Sequence, residues 1–149
     1  MAVARHCVNR SEGKPTDKVV VFGAGAIGLG ASIWLKLRGV EHVVVADVIP
    51  ERLQTTLAVG AESSAAEDVT DRLTELHGQA ANDLGQPRAA SQGHPTEIFE
   101  VTAELAEHRD RFAQLISHRV PTTDMGRTFE LALTPGAAEK VVVTFDDEA

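Results

Sequence analysis

The sequence predicts an α/β fold, a partial doubly wound parallel sheet flanked by helices. Three observations carry that reading. Residues 18–22 (KVVVF) and 42–46 (HVVVA) are continuous apolar runs, the pattern of strands covered on both faces. Residues 24–37 between them are apolar nearly all round, as a covered crossover helix must be. The first run also ends directly in a glycine-rich turn, Gly23-Ala24-Gly25-Ala26-Ile27-Gly28. Strand, helix and strand in this order give parallel pairing.

The elements follow in order. Residues 1–17 are polar and punctuated by Gly13, Pro15 and Asp17, with VARHCVNR as a short helix before them. Lys36 and Arg38 charge the last turn of the crossover helix, and Gly39 stops it. Pro50 opens a second helix, where its missing N–H costs nothing, and Gly60 closes it. A third strand is due next, but AESSAAED offers no β-branched residue before Val69, so that strand reads as eroded. Residues 68–77 read as a helix capped by Asp68, with Val69, Leu73 and Leu76 on one face. Residues 78–95 carry glycine and proline without periodicity, and structureless stretches of that length are uncommon inside compact domains. A helical pattern returns at Thr96 and runs to about residue 116. SHRVP reads as a short strand. Thr122, Thr123 or Asp124 caps a helix through Leu133, and residues 140–145 (KVVVTF) form a last strand before an acidic tail.

Composition narrows the class. A chain of 149 residues suits one domain. Apolar residues make up 43%, aromatics only 4%, and Tyr is absent, so the core is built from Val, Ile, Leu and Ala. A net charge of −8 without a basic stripe argues against binding nucleic acid or an anionic membrane. Cys7 is the only cysteine, which excludes an intrachain disulfide and a cysteine-rich zinc site. No apolar run reaches about 18 residues and no signal-type apolar segment opens the chain, so a cytoplasmic location is expected.

The glycine turn is where chemistry enters. Gly23 permits the tight exit from the strand, Gly25 lets backbone approach a pyrophosphate, and Gly28 lets the helix pack on the strand. The helix start at Ala26 and Ile27 offers free N–H groups and the positive end of a dipole to an anion. Asp47 ends the second strand, in place to accept hydrogen bonds from both hydroxyls of an adenosine ribose. A carboxylate there repels a 2′-phosphate, which favours NAD over NADP. Other groups carry less. Glu104 and His108 are four apart, with Glu100 a turn earlier, a spacing that suits a metal but is read as a solvated helical face. His6 and Cys7 are neighbours without a third orienting group.

At these residues the sequence resembles the zinc-dependent medium-chain alcohol dehydrogenases, in particular their polyol and threonine dehydrogenase branch. KVVVFGAGAIGLGASIWLKLRGVEHVVVADVIPERL resembles that family's Rossmann-like coenzyme-binding domain, and ISHRVP and FELALTPGAAEKVVVTF resemble its C-terminal end. Together these cover most of residues 2–77 and 94–146. The resemblance implies that Gly23, Gly25, Ala26, Ile27 and Gly28 hold the pyrophosphate of NAD and that Asp47 holds the ribose. It further implies that Arg52 lies near that ribose and that Lys140 reaches the pyrophosphate. Ala26 departs from the proline common in this turn.

The resemblance also implies absences. The family's catalytic domain with its zinc ligands has no counterpart here, and three strands with their helices are missing between about Ala90 and His94. The organisation then reads as 1–17, a segment of the interdomain connection; 18–77, the first half of a dinucleotide-binding domain; 78–95, a loop at a deletion join; and 96–149, C-terminal helices and strand.

The functional expectation is an NAD-binding fragment of an alcohol or polyol dehydrogenase-type oxidoreductase, catalytically incomplete alone, with weak or partial NAD binding. The alternative is a non-catalytic nucleotide-binding module, or a remnant that associates with an intact relative. Losing the neighbouring strands leaves residues 18–22 with a free edge. Either residues 141–145 move in beside residues 19–22, the preferred arrangement, or the edge stays open and favours self-association. In the first case the helix at 96–116 covers one sheet face and the helix at 25–38 the other.

Overall fold

The computed structural model describes residues 1–77 and 95–145. Its first unit is the expected one: β1 Lys18–Phe22, α2 Ala26–Leu37 and β2 His42–Asp47, preceded by α1 Ala2–Ser11. β1 and β2 pair in parallel, in register from Lys18↔His42 to Phe22↔Ala46. Side chains alternate across the sheet. Val19 and Val21 join the cluster under α1 and α2, while Val20 meets Ala46 and Val69 on the other face. Gly39 (φ 84°) ends α2, and the Val40 N–H returns to the Leu35 carbonyl at 3.1 Å.

The eroded third strand forms nonetheless. β3 Glu62–Ala65 pairs in parallel with β2 from Val44↔Glu62 to Asp47↔Ala65. A ladder needs backbone groups above all, and β2 presents an open row of them, so small residues such as Ser63, Ser64 and Ala65 can follow. The helix before it is shorter than expected. α3 spans only Pro50–Leu53, and the Thr56 hydroxyl bonds the Leu53 carbonyl at 2.6 Å in the turns that continue to Gly60. α4 Val69–His77 follows β3 and brings Val69 against Ala46. The loop expected at 78–95 lies outside the described residues, except Pro95.

The C-terminal part corrects two expectations. The helix read at 96–116 is two helices, α5 Pro95–Glu107 and α6 Arg109–Ala113, broken at His108 (φ −112°, ψ 24°). These do not cover the sheet face opposite α2. Val101, Phe112 and Leu115 instead enter the same cluster as Ala4, Val8 and Trp34, with the Trp34 and Phe112 rings 4.7 Å apart. α5 lies on α1, and polar side chains fix that seam. Arg5 bridges Glu100 at 2.8 Å and Glu104 at 2.7 Å, and Glu97 receives His6 Nδ1 at 2.7 Å and the Asn9 amide at 2.8 Å. The face carrying Glu100 and Glu104 is therefore an interhelical seam. A solvated face was the expectation.

The last strand also takes another partner. β5 Val141–Thr144 pairs in parallel with β4 His118–Pro121, and not with β1. A short 3₁₀ turn, Thr122–Asp124, leads into α7 Met125–Leu133, whose first turn is capped by the Asp124 carboxylate on the Arg127 N–H at 3.3 Å. β4, α7 and β5 thus make a local β-α-β unit, and closing a short connection costs less chain entropy than reaching across to β1. Ser117 locks the pair: its Oγ accepts the Glu139 and Lys140 N–H groups, while its own N–H donates to the Lys140 carbonyl at 3.0 Å.

β1 consequently keeps a free outer edge among the described residues, the second of the two arrangements anticipated above. The Gly23 N–H donates to Ala46 of β2, so Val21 and Val19 point their backbone groups the same way. Val20 and Phe22, in alternate positions, turn theirs to the open side. No described helix is long and apolar enough to cross a membrane.

Candidate functional site

The glycine turn sits at the carboxyl end of β1, between that strand and α2. Each glycine meets a distinct constraint. Gly23 has φ 100°, a conformation L side chains rarely adopt. A Cβ on Gly28 would stand 1.8 Å from the Gly23 carbonyl oxygen, so only glycine lets α2 sit this close to the turn. A Cβ on Gly25 would meet nothing within 4 Å. The space above Gly25 is open, and a side chain there would occupy it.

Gly25 also caps α2 without a side chain, and the helical ladder begins with the Leu29 N–H on the Gly25 carbonyl at 2.9 Å. The N–H groups of Ala26, Ile27 and Gly28 therefore have no acceptor within the helix. They form the positive end of a 12-residue helix, the arrangement that suits an anion.

Asp47 closes the site from the neighbouring strand. Its side chain is nearly buried, at 5% exposure. Oδ2 accepts the Ala24 N–H at 2.7 Å and Oδ1 accepts the Ile49 N–H at 2.8 Å, while Arg52 of α3 stands 4.0 Å from Oδ2. Burial pushes the Asp47 carboxyl up, but the Ala24 and Ile49 amides, with Arg52 behind them, outweigh it and hold the group below the usual carboxylate range. Asp47 is thus ionised and stitched to the turn. The stitch to Ala24 was not anticipated from sequence, and the spacing of Asp47 from the glycines carries no sign of it.

Of the candidates, the structure brings together Gly23, Gly25, Ala26, Ile27, Gly28, Asp47 and Arg52. Lys140 directly precedes β5 and does not line the turn. Its side chain is exposed, and its charge acts on the Met1 amine, which burial first and Lys140 second push down. Met1 itself packs on Gly30, one turn into α2. No hydrogen bond from Lys140 to the turn is present among the described residues.

A cleft of about 650 Å³ runs from the turn along the free edge of β1, lined by Val19, Val21, Phe22, Gly25, Ile27 and Cys7 among others. Its walls are apolar, and Phe22 and Ile27 stand 68% and 55% exposed at its mouth. Among the described residues no three His, Cys, Asp or Glu side chains converge in a group that could hold a metal ion. His6 pairs with Glu97, and Cys7 lines the cleft.

No family model matches the chain. Curated relatives do. L-galactonate-5-dehydrogenase of Escherichia coli K12 is 39% identical over 110 residues, 72% of this chain and 31% of that protein. Solved structures share the fold. A protein of Clostridium scindens described as a zinc-binding dehydrogenase superposes with a TM-score of 0.78 at 20% identity, over 98% of this chain and 55% of that one. An alcohol dehydrogenase of Escherichia coli CFT073, complexed with cofactor NADH, superposes with a TM-score of 0.74 at 21% identity, over 97% of this chain and 57% of that one. The chain thus spans about a third of the length of the curated relatives it matches. Within that span, the relatives' sequences and the fold agree that it belongs to the zinc-dependent medium-chain alcohol dehydrogenase family.

Proposed function

We propose that this chain binds the adenosine diphosphate half of NAD, and that alone it carries out no hydride transfer. One observation carries the reading: an open Gly25 at the head of α2 stands beside an ionised Asp47 at the end of the adjacent strand. The turn supplies N–H groups for a pyrophosphate, and the spare lone pairs of Asp47 suit ribose hydroxyls. The E. coli alcohol dehydrogenase with the same fold is described with NADH bound, which supports the choice of cofactor. In the intact family the nicotinamide half lies across further strands, and here β1 has no strand on its outer side among the described residues. Affinity should therefore be weak, with AMP or ADP bound about as well as NADH.

Fluorescence titration with NADH and calorimetry with ADP test this. The expected result is saturable binding of both, weaker binding of NADPH, and no alcohol-dependent NADH formation. Equal affinity for NADPH would remove the assigned role of Asp47. A second reading, self-association or docking on an intact relative, is favoured by the open edge of β1 with Phe22 and Ile27 exposed beside it.

A further inference from the structure

We infer that Asp47 is a positioning residue for the pyrophosphate-binding turn, in addition to any contact it makes with a ribose. The inference rests on the dinucleotide reading above and deepens it. The turn is pinned at three points: the Gly23 N–H on the Ala46 carbonyl at 2.8 Å, the Ala24 N–H on Asp47 Oδ2 at 2.7 Å, and Gly28 against the Gly23 carbonyl. Only the middle pin is a side chain. Ala24 is fully buried, so its N–H has no recourse to water if the carboxylate is lost. The other oxygen holds the Ile49 N–H at 2.8 Å, which ties the carboxylate to the strand's exit. Both oxygens thus face N–H donors, and an amide in place of the carboxylate would turn its NH₂ against one of them. The turn must then shift to find Ala24 a new acceptor. The residues it would carry along, Gly25, Ala26 and Ile27, are those whose backbone would meet a pyrophosphate.

This separates three roles by sign. If Asp47 acted only as a negative charge near an anion site, removing it would tighten inorganic pyrophosphate binding. If it acted only on ribose, pyrophosphate binding would not change. As a pin, its loss weakens pyrophosphate binding, although Asp47 itself contacts no phosphate.

The test uses the full chain with Asp47→Asn and Asp47→Glu. The second keeps the charge and displaces it by one methylene. Calorimetry measures inorganic pyrophosphate and AMP, and amide hydrogen exchange reads Ala24 with no ligand present. Both variants should bind pyrophosphate about ten-fold more weakly, the equivalent of one unsatisfied buried donor, and Ala24 should exchange at least about ten-fold faster. Wild-type or tighter pyrophosphate binding in both variants, or unchanged Ala24 exchange, overturns the inference. A wild-type chain that binds neither AMP nor pyrophosphate overturns the dinucleotide reading and the inference's pyrophosphate clause together. Exchange at Ala24 still decides the pin in that case, and also if Asp47→Asn alone proves poorly folded.

Discussion

Three valine triplets in this chain have almost the same sequence and different surroundings. Val43–Val45 of β2 are 0–1% exposed. Val19–Val21 of β1 and Val141–Val143 of β5 are only partly buried. The composition of each stretch suffices to make a strand, but neighbours decide how much of it is buried. β2 has a strand on either side, with α2 packed against it and Val69 of α4 meeting its Ala46 on the other face. Among the described residues, β1 has one neighbouring strand and β5 has only β4. The same three residues therefore report the sheet around them, and the contrast can be tested on them directly.

The largest expected effect comes from a charge in each triplet. Val44 and Val20 are cross-strand partners on one face of the sheet. Val44→Lys places an ammonium where it has neither partner nor water, and should cost about 4 kcal/mol or more, enough to unfold a small domain. Val20→Lys can lead its ammonium out past the open edge along its own methylenes, and should cost about 1 kcal/mol. Urea denaturation of both variants decides. Equal losses would mean that β1 is covered after all and would break the comparison.

A second pair sharpens it within the turn. Gly28→Ala forces a Cβ onto the Gly23 carbonyl, a backbone atom that cannot swing away, and should cost about 3 kcal/mol. Gly25→Ala meets open space in an ordinary backbone conformation, and should change stability by no more than about 0.5 kcal/mol while abolishing ADP binding. Loss of stability at Gly25 would show that its role is structural. Two glycines of one motif would then fail to divide packing from binding.

How far the sequence made this legible follows the same division. Residues 18–47 were readable because every local signal agrees: apolar strand, glycine turn, apolar helix, Gly39 stop. Of the three caps the sequence offers, Thr122, Thr123 and Asp124, the structure uses Asp124. β3 was read as eroded because ESSA has poor strand propensity, yet β2 imposes the pairing through backbone. The partner of β5 was misread because its apolar pattern fits either neighbour, and chain connectivity through α7 settles the choice. The covering role of α5 was misread for a related reason. An apolar face at Val101 and Leu105 shows that the helix packs, but only Arg5, His6 and Asn9 facing Glu97, Glu100 and Glu104 show on what. The strand–turn–helix–strand pattern is enough to expect the glycine turn, Asp47 and Arg52 to be neighbours. It is not enough to expect the pin from Asp47 to Ala24, since a side chain bonding to a backbone amide leaves no mark on residue identity.

Acid should separate the two ends of β2 from the rest. Asp47 is held below the usual carboxylate range as described above. Glu62 is also held low, first by its hydrogen bond from Arg72, against burial, with His42 adding to the effect. A group whose folded pKa is depressed contributes stability that is fully present above the unfolded value and lost as pH falls through the folded one. Stability should therefore be level between pH 7 and 5 and fall below about pH 4. Asp47→Asn and Glu62→Gln should each be less stable at pH 7 and show a shallower acid decline. Denaturant midpoints that fall equally in all three proteins would place the acid sensitivity elsewhere.

The smallest effect on folding should be the largest on assembly. Among the described residues, Val20 and Phe22 have no strand to pair with at the outer edge of β1, and Phe22 and Ile27 add exposed apolar surface beside them, the combination that natural sheets avoid. The chain should therefore self-associate as its concentration rises. Phe22→Glu removes an exposed side chain, so monomer stability should stay within about 0.5 kcal/mol. It also places a charge on the sticky edge, and sedimentation velocity should shift toward the monomer. Phe145 after β5 is 83% exposed and serves as the control, because that sheet too has open edges. If Phe145→Glu disperses the assembly and Phe22→Glu does not, the exposed edge that matters belongs to the two-stranded sheet. The free side of β1 would then be ordinary surface. A wild-type chain that stays monomeric at millimolar concentration would show that neither edge is adhesive, and that partial burial of a valine triplet carries no penalty here.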